Sequence, residues 1–488
     1  MQLTNKTLKD LDQAIARPAY DRAALKPGIV HIGVGNFHRA HQAVYLDDLF
    51  CKGLDHDWAL IGAGVREGDA RMRDALATQD YLSTVIEMEP NAHSARVIGA
   101  MVDFLPIEPD NKALIARMAQ EDIRIVSLTV TEGGYYIDPA RGEFDPTHPD
   151  IVADAAQPDR PATAFGAIIS ALKARRAAGI VPFTVMSCDN LPGNGHVTQA
   201  AVIGLARLID AELADWMAAN VAFPNGMVDR ITPATTDVER ARAKSAFGIE
   251  DVSPVFCEPF RQWVLEDNFP AGRPAFEQVG VTLTPDVEAF ETMKIRILNG
   301  GHAIIAYPGG LLDVEMVSDA MAHPAISAFL AAVEMREILP IVPPVPDTSL
   351  DAYHALITER FANPDVGDTI RRLCLDGSNR QPKFIIPSIR DNRARGVVPH
   401  GLILLSAMWC RYCAGTSDSG AEILPNDPNW AALQARALQA KDRPAAWLEM
   451  RDIYGDLVED DALVTAFTSA LNGLWADGAE AMIARYLA

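Results

Sequence analysis

Five short runs rich in β-branched residues, separated by sequence of helix length, occupy the first 280 residues and leave few folds open. They are GIVHIGVG (28–35), WALIGAGV (58–65), IRIVSLTVT (123–131), VPFTVMSC (181–188) and GMVDRITP (226–233). The sequence between them includes the helical stretches PATAFGAIISALKARRAAG (161–179) and GHVTQAAVIGLARLIDAELADWMAAN (195–220). Strands that alternate with helices in this way build βαβ units around a mostly parallel sheet. After about residue 285 the pattern gives way to Ala/Leu/Met-rich helical segments, such as 323–338, 429–441 and 461–487. The expectation is an α/β chain: a mostly parallel sheet domain over 1–285, then a mainly α-helical domain over 286–488.

Several classes of function are set aside by charge and hydropathy. Forty-three Lys and Arg stand against 65 Asp and Glu, a formal net charge of -22. Such a field repels phosphate backbones, and no basic cluster offsets it locally, so no nucleic-acid partner is expected. The longest apolar stretch, Gly401–Cys410, has ten residues where a membrane span needs about 20, and reads as a buried helix. The N-terminal segment is polar and lacks the apolar core of a signal peptide. Six cysteines make no disulfide framework. These features together lead us to expect a cytoplasmic enzyme, and the acidic surface favours a monomer.

The first chemical signal is IVHIGVGNFHRAHQAVYLDDL, where a β-branched strand meets Gly33-Val34-Gly35 and an amphipathic run follows. Gly33 permits a tight turn and Gly35 lets the backbone approach a pyrophosphate. The N-terminus of the next helix then supplies unpaired N–H donors. The third glycine of the usual dinucleotide pattern is missing, since His38 stands in its place. A competing run, LIGAGVREG (60–68), also follows a strand. If the first motif is the phosphate turn, the second marks the strand whose end reaches the adenosine ribose. Glu67 or Asp69 then offers a carboxylate to the ribose hydroxyls and favours NAD over NADP, while Arg66 could meet a 2′-phosphate.

The second signal is FETMKIRILNGGHAIIAYPGG (290–310). On a helix turning 100° per residue, Glu291, Lys294, Asn299 and His302 span an arc of about 140°, with Ile295, Leu298 and Ile305 among them. Gly300 and Gly301 sit mid-pattern at a cost of about 1 kcal/mol each against Ala, which implies a close approach to the backbone. A lysine accepts a proton near neutral pH only when desolvation or a neighbouring charge lowers its pKa. Asparagine amides can donate to an oxygen that becomes negative. A second such amide, Asn190, directly follows a strand in VMSCDNLPGNG, and Glu132 and Asp229 lie at or near strand ends. Ligands of open α/β sheets bind outside the carboxyl ends of the strands, so these three positions converge if the sheet reading holds.

Other constellations are weaker. Cys410-x-x-Cys413 sits in an apolar helical run without a partner pair, and His38 with His41 lacks acidic or thiol neighbours. No complete ligand set emerges, so no metal is expected. Neither a G-x-S-x-G elbow nor a Walker A sequence is present.

The segments IVHIGVGNFHRAHQAVY, SLTVTEGGY, FTVMSCDNLPGNG, MVDRITPAT, CEPFRQWVLEDNFPAGRP, KIRILNGGH and LCLDGSNRQPKF together resemble the polyol-specific long-chain dehydrogenases, the mannitol dehydrogenase family. That resemblance implies a Rossmann-type N-terminal domain, a helical C-terminal domain and a site in the cleft between them. It implies that Lys294 is the general base for alcohol oxidation, that Asn190 and Asn299 stabilise the oxyanion, and that His302 belongs to the same Lys-x4-Asn-x2-His motif. By the same resemblance Glu132 and Glu291 line a proton path, while Asp229, Arg372 and Arg380 face the sugar. Gly33, Gly35, Phe37, His38, Arg39, Arg66 and Asp69 form the cofactor-binding set. Arg380 stands where the family commonly has lysine, and Tyr307-Pro308 replaces the usual Tyr-Leu.

The activity implied is metal-independent, NAD-dependent oxidation of a linear polyol to its 2-ketose, D-mannitol to D-fructose first, and the reverse reduction. Reduction of a hexuronate such as D-fructuronate is the alternative, because Arg380 could pair with a carboxylate. A nucleotide-sensing protein without turnover would keep the same fold.

Overall fold

The computed structural model describes residues 2–90, 92–138 and 141–488. The chain divides into two compact units, Met1–Glu288 and Ala289–Ala488.

The strands of the first unit are β1 (Pro27–Ile32), β2 (Ala59–Ala63), β3 (Ser83–Glu89), β4 (Ala92–Ile98), β5 (Met101–Phe104), β6 (Ile125–Leu128), β7 (Ile137–Asp138), β8 (Glu143–Phe144), β9 (Thr184–Ser187), β10 (Gly226–Asp229), β11 (Val255–Cys257), β12 (Gln262–Leu265) and β13 (Thr282–Leu283). The main sheet has the order β5-β2-β1-β6-β9, and every neighbouring pair in it is parallel. From β1 the chain first builds outward through β2 to β5, then returns to build through β6 to β9 on the other side. The order therefore reverses between β1 and β6, and a ligand crevice of such a sheet opens at that point.

Parallel strands covered on both faces read as continuous apolar runs. Val30, Ile32, Val126 and Leu128 enter one core with Phe165, Ile168 and Leu205 from the covering helices. Ile29, Leu60 and Ile125 enter the opposite core with Tyr45, Leu49 and Trp263. A Rossmann-like parallel sheet is thus what the alternating pattern produces, with one correction. The fifth run, 226–233, is not part of it: β10 pairs antiparallel with β12 in a separate three-stranded sheet. The edge place is taken instead by β5, whose four residues MVDF are too short and too mixed to stand out from sequence.

The second unit is helical. Its central helix, His400–Cys413, is buried at every position from Gly401 to Cys413, which accounts for the apolar run there. Two segments, Lys294–Asn299 and Glu334–Ile338, are wound as π-helix. Among the described residues no helix is long and apolar enough to cross a membrane.

Candidate active site

In the first unit the functional candidates stand at or just beyond the carboxyl ends of β1, β2, β6 and β9 in the main sheet, and of β10 in the separate one. Gly33 takes φ +98°, and a Cβ there would meet the Thr129 carbonyl oxygen at 2.2 Å. Only glycine fits, because both the backbone angle and the neighbouring strand exclude a side chain. A Cβ on Gly35 would meet nothing closer than the Gly33 oxygen at 3.9 Å, so the backbone there lies open. Helix α1 (Asn36–Ala40) begins at this point, breaks at His41 and resumes as α2 (Gln42–Cys51).

Three further residues of the cofactor set surround that turn. His38 is buried and stacks on His31 with ring centroids 3.4 Å apart. Burial and the neighbouring positive groups hold its pKa well below the ordinary imidazole value, so it is neutral. Arg39 is also buried, and its guanidinium donates to the Ser253 carbonyl and hydroxyl, to Asn36 Oδ1 at 2.8 Å and to the Gly35 carbonyl. His38 thus packs the helix start onto β1, and Arg39 ties it to Ser253. Phe37 stacks on His41 at 4.9 Å. His31 itself bridges β1 to β6, with Nδ1 2.8 Å from Ser127 Oγ and Nε2 2.8 Å from Thr129 Oγ1. The Thr129 hydroxyl in turn donates to the Gly33 carbonyl at 2.6 Å.

Asp69 lies in the first turn of α3 (Glu67–Ala77), just beyond β2. Its Oδ2 accepts the N–H groups of Val65 and Arg66, both at 3.0 Å. That bond fixes the carboxylate at the strand end, and Arg66 stands exposed beside it.

Glu132 is exposed at the start of a tight turn after β6, and Asn190 follows β9. The residue between β9 and Asn190 that sequence reasoning missed is Asp189. It is buried, and it accepts the Val130 N–H at 2.9 Å, the Thr131 N–H at 3.0 Å and the Tyr135 hydroxyl at 2.7 Å. Asn194, also missed, donates to the Asp189 carbonyl at 3.1 Å and to the Gly226 carbonyl at 2.7 Å, and accepts the Gly226 N–H at 2.9 Å. Asp229 does lie at a strand end, and Asn194 is what ties its strand to the end of β9. The sequence DNLPGNG held both residues, but nothing in it shows which loops they join.

In the second unit Glu291 sits on the helix Val287–Met293, and the π turn follows directly. Glu291 and Lys294 are both buried. The Gly300 N–H donates to the Ile295 carbonyl five residues back. A turn closed at five residues rotates less per residue than an α-helix, so Lys294 and Asn299 share a face more closely than a 100° wheel allows. The Oδ1 of Asn299 is buried without a hydrogen bond among the described residues. His302 stacks on Phe361 at 4.3 Å and 22°. The close approach expected at the glycine pair is real at Gly301: a Cβ there would meet Glu334 Oε1 at 2.6 Å and Phe361 at 3.1 Å. Burial pushes the Glu334 carboxyl up to about 6, and its Oε2 pairs with His354 Nδ1.

The two arginines proposed for the sugar differ. Arg372 is gripped through Nε and one terminal nitrogen by Asp368, yet its side chain remains 49% exposed. Arg380 donates to the Leu373 carbonyl at 3.2 Å. Cys410 and Cys413 are buried free thiols whose pKa values burial raises far above the ordinary range. Among the described residues no group of three or more His, Cys, Asp or Glu side chains could hold a metal ion.

Residues 27–278 match the model of the mannitol dehydrogenase Rossmann domain, and residues 286–475 that of the mannitol dehydrogenase C-terminal domain. A mannitol 2-dehydrogenase of Cereibacter sphaeroides is 69% identical over 478 residues, covering 98% of this chain and 100% of the relative. Among solved structures, the Pseudomonas fluorescens mannitol 2-dehydrogenase ternary complex with NAD and D-mannitol aligns with a TM-score of 0.87. It is 42% identical and covers 100% of this chain and 99% of that one. A D-sorbitol dehydrogenase in substrate-free form aligns with a TM-score of 0.91 at 33% identity, covering 99% of this chain and 100% of that one.

Proposed function

The chain belongs to the mannitol dehydrogenase family, and from that premise we propose that it oxidises D-mannitol to D-fructose with NAD and catalyses the reverse reduction. The observation that carries the chemistry is the pairing of a buried lysine and an asparagine amide within one π turn, followed at once by His302.

The first unit fits a dinucleotide. The φ +98° turn at Gly33, the open backbone at Gly35 and the start of α1 together supply unpaired N–H groups for a pyrophosphate. Asp69 keeps Oδ1 as an acceptor for the ribose hydroxyls and repels a 2′-phosphate, which favours NAD over NADP. When bound, the nicotinamide accepts the hydride that leaves carbon 2 of the polyol.

The remaining chemistry belongs to the protein. Lys294, buried in the π turn, takes the hydroxyl proton as the hydride departs. Asn190 and Asn299 donate to the oxygen as it gains negative charge. His302, held flat against Phe361, orients the same hydroxyl. Glu132 and Glu291 pass the proton from Lys294 towards solvent. Asp229, Arg372 and Arg380 read the remaining sugar hydroxyls, Arg372 with its guanidinium plane set by Asp368. The amides and the lysine do the work of a Lewis acid, so full activity is expected in EDTA. The formal charge of -22 opposes self-association, and we read the working unit as a monomer.

Oxidation of NADH against a panel of ketoses and hexuronates tests the reading. D-fructose should be reduced fastest. A kcat/KM tenfold higher for D-fructuronate would move the assignment to hexuronate reduction, and no turnover with any substrate would leave a nucleotide-binding protein.

A further inference from the structure

We propose that Asp189 is a positioning residue that clamps a strained backbone turn, and through it holds the loops of Glu132 and Asn190 in register for proton removal. The inference rests on the roles proposed above for those two residues. Thr131, immediately before Glu132, has φ +67° and ψ 165°. That region is populated almost only by glycine, and a residue there persists when its surroundings over-determine it. Among the described residues nine non-glycine positions have positive φ, and Thr131 is the β-branched one, for which the conformation is least tolerable.

What over-determines it is a carboxylate whose two oxygens are shared between consecutive amides. Asp189 Oδ2 accepts the Val130 N–H at 2.9 Å and Oδ1 the Thr131 N–H at 3.0 Å, while the Tyr135 hydroxyl donates to Oδ2 at 2.7 Å. Asp189 is itself rigidly placed. Its N–H donates to Ser187 Oγ at 3.2 Å, and its carbonyl accepts from the Leu191 N–H at 2.9 Å and from Asn194 at 3.1 Å. The next residue is Asn190. One buried carboxylate therefore joins the residue before Glu132 to the residue before Asn190. The cofactor turn is held separately, by the Thr129 hydroxyl donating to the Gly33 carbonyl, a bond that does not involve Asp189. A loop that served only to close the sheet would relax Thr131 into the ordinary extended region. Here the strained angle sets the direction in which the chain delivers Glu132.

Asp189→Asn keeps the volume but replaces one acceptor oxygen with an N–H₂ that faces a backbone N–H, so the two-amide grip is lost. The test compares the full-length wild type, Asp189→Asn and Asp189→Asn/Thr131→Gly for mannitol oxidation with NAD, with Tyr135→Phe as a milder lesion of the same clamp. Wild-type turnover checks the functional reading itself, and its absence would reject that reading. Asp189→Asn should lower kcat 10- to 100-fold, the scale of a misplaced group, with the NADH dissociation constant unchanged within twofold. The solvent deuterium isotope effect on kcat should rise as proton exit becomes slower. Adding Thr131→Gly should recover at least fivefold, since glycine holds the angle without the clamp. Tyr135→Phe should lower kcat 3- to 10-fold with the same rise in isotope effect, and it decides the matter if Asp189→Asn does not fold. Unchanged kcat and isotope effect in the folded variants, or a loss that Thr131→Gly does not relieve, would overturn the proposal.

Discussion

Asn190 and Glu132 stand on loops that leave a regular parallel sheet, whereas Lys294 and Asn299 stand inside a helix that abandons regular winding. In the first unit geometry is held by side chains reaching across to backbone groups of other loops, as Asp189, Asn194 and Thr129 do. In the second it is held by the winding itself, by Arg296 anchoring the turn to Ser388 and Asp391 at 2.7 Å, and by Phe361 against His302. Removing a latch and rewinding a turn are different injuries. Changes in the first unit should spoil position, and changes in the π turn should remove chemistry outright.

Lys294→Ala gives the largest expected effect: kcat for oxidation falls by about 10²–10⁴-fold, the range for a general base, while NADH binding followed by fluorescence stays the same. A parallel loss of NADH affinity would mean that the turn is structural after all.

Acid separates the two units by sign. Burial lowers His31 and His41 to about 3. The unfolded chain then binds protons near pH 6.5 that the folded chain refuses, so stability is intact above that value and falls as the pH drops. At about 1.4 kcal/mol per pH unit for each group, His31 and His41 together cost the first unit about 4 kcal/mol by pH 5, and His38, also held neutral by burial, adds to the loss in the same sense. Asp47 and Asp189, raised by burial, act in the opposite sense and offset part of the histidine effect. In the second unit burial holds Glu334 up to about 6, and the Glu334 carboxylate raises His354. Both bind protons more tightly folded than unfolded, so the same fall in pH strengthens that unit. Hydrogen exchange read by mass spectrometry at pH 7 and pH 5 should show residues 2–288 opening first, and the reverse order would contradict this.

Asn299→Ala should cost about 3 kcal/mol in kcat through loss of an oxyanion donor, with KM little changed. If the loss appeared in KM alone, the amide would be holding substrate rather than stabilising the developing charge. The smallest effect belongs to Asp69→Ala. The preference for NAD over NADP should narrow by about tenfold, or ~1.4 kcal/mol, chiefly through relief of repulsion. An unchanged ratio of kcat/KM values would remove Asp69 from cofactor selection.

The same contrast explains what could be read from sequence. Gly33 is legible because a positive φ and a strand against it leave no other residue, and a β-branched run before it marks the strand. The parallel sheet follows from alternation, apart from β10, whose antiparallel partner lies over 30 residues away. Asp189 and Asn194 escape notice because their partners are backbone groups of loops remote in sequence, and no pattern records such a bond. The helical wheel fails at Lys294–Asn299 for a different reason. It assumes 100° per residue, and the sequence KIRILNGG offers no signal that the turn closes at five. Gly301 did announce a close approach, although not that Glu334 and Phe361 would make it.

The most direct test of the lysine mechanism is chemical rescue of Lys294→Ala by primary amines of graded basicity. If Lys294 accepts the proton, small amines entering the vacated space should restore part of the oxidation rate. The rescued rate constant, corrected for amine size, should then rise with amine pKa, and the pH profile should follow the added amine. A Lys294→Ala enzyme that keeps most of its kcat, or one whose rescue ignores amine basicity, would contradict the account.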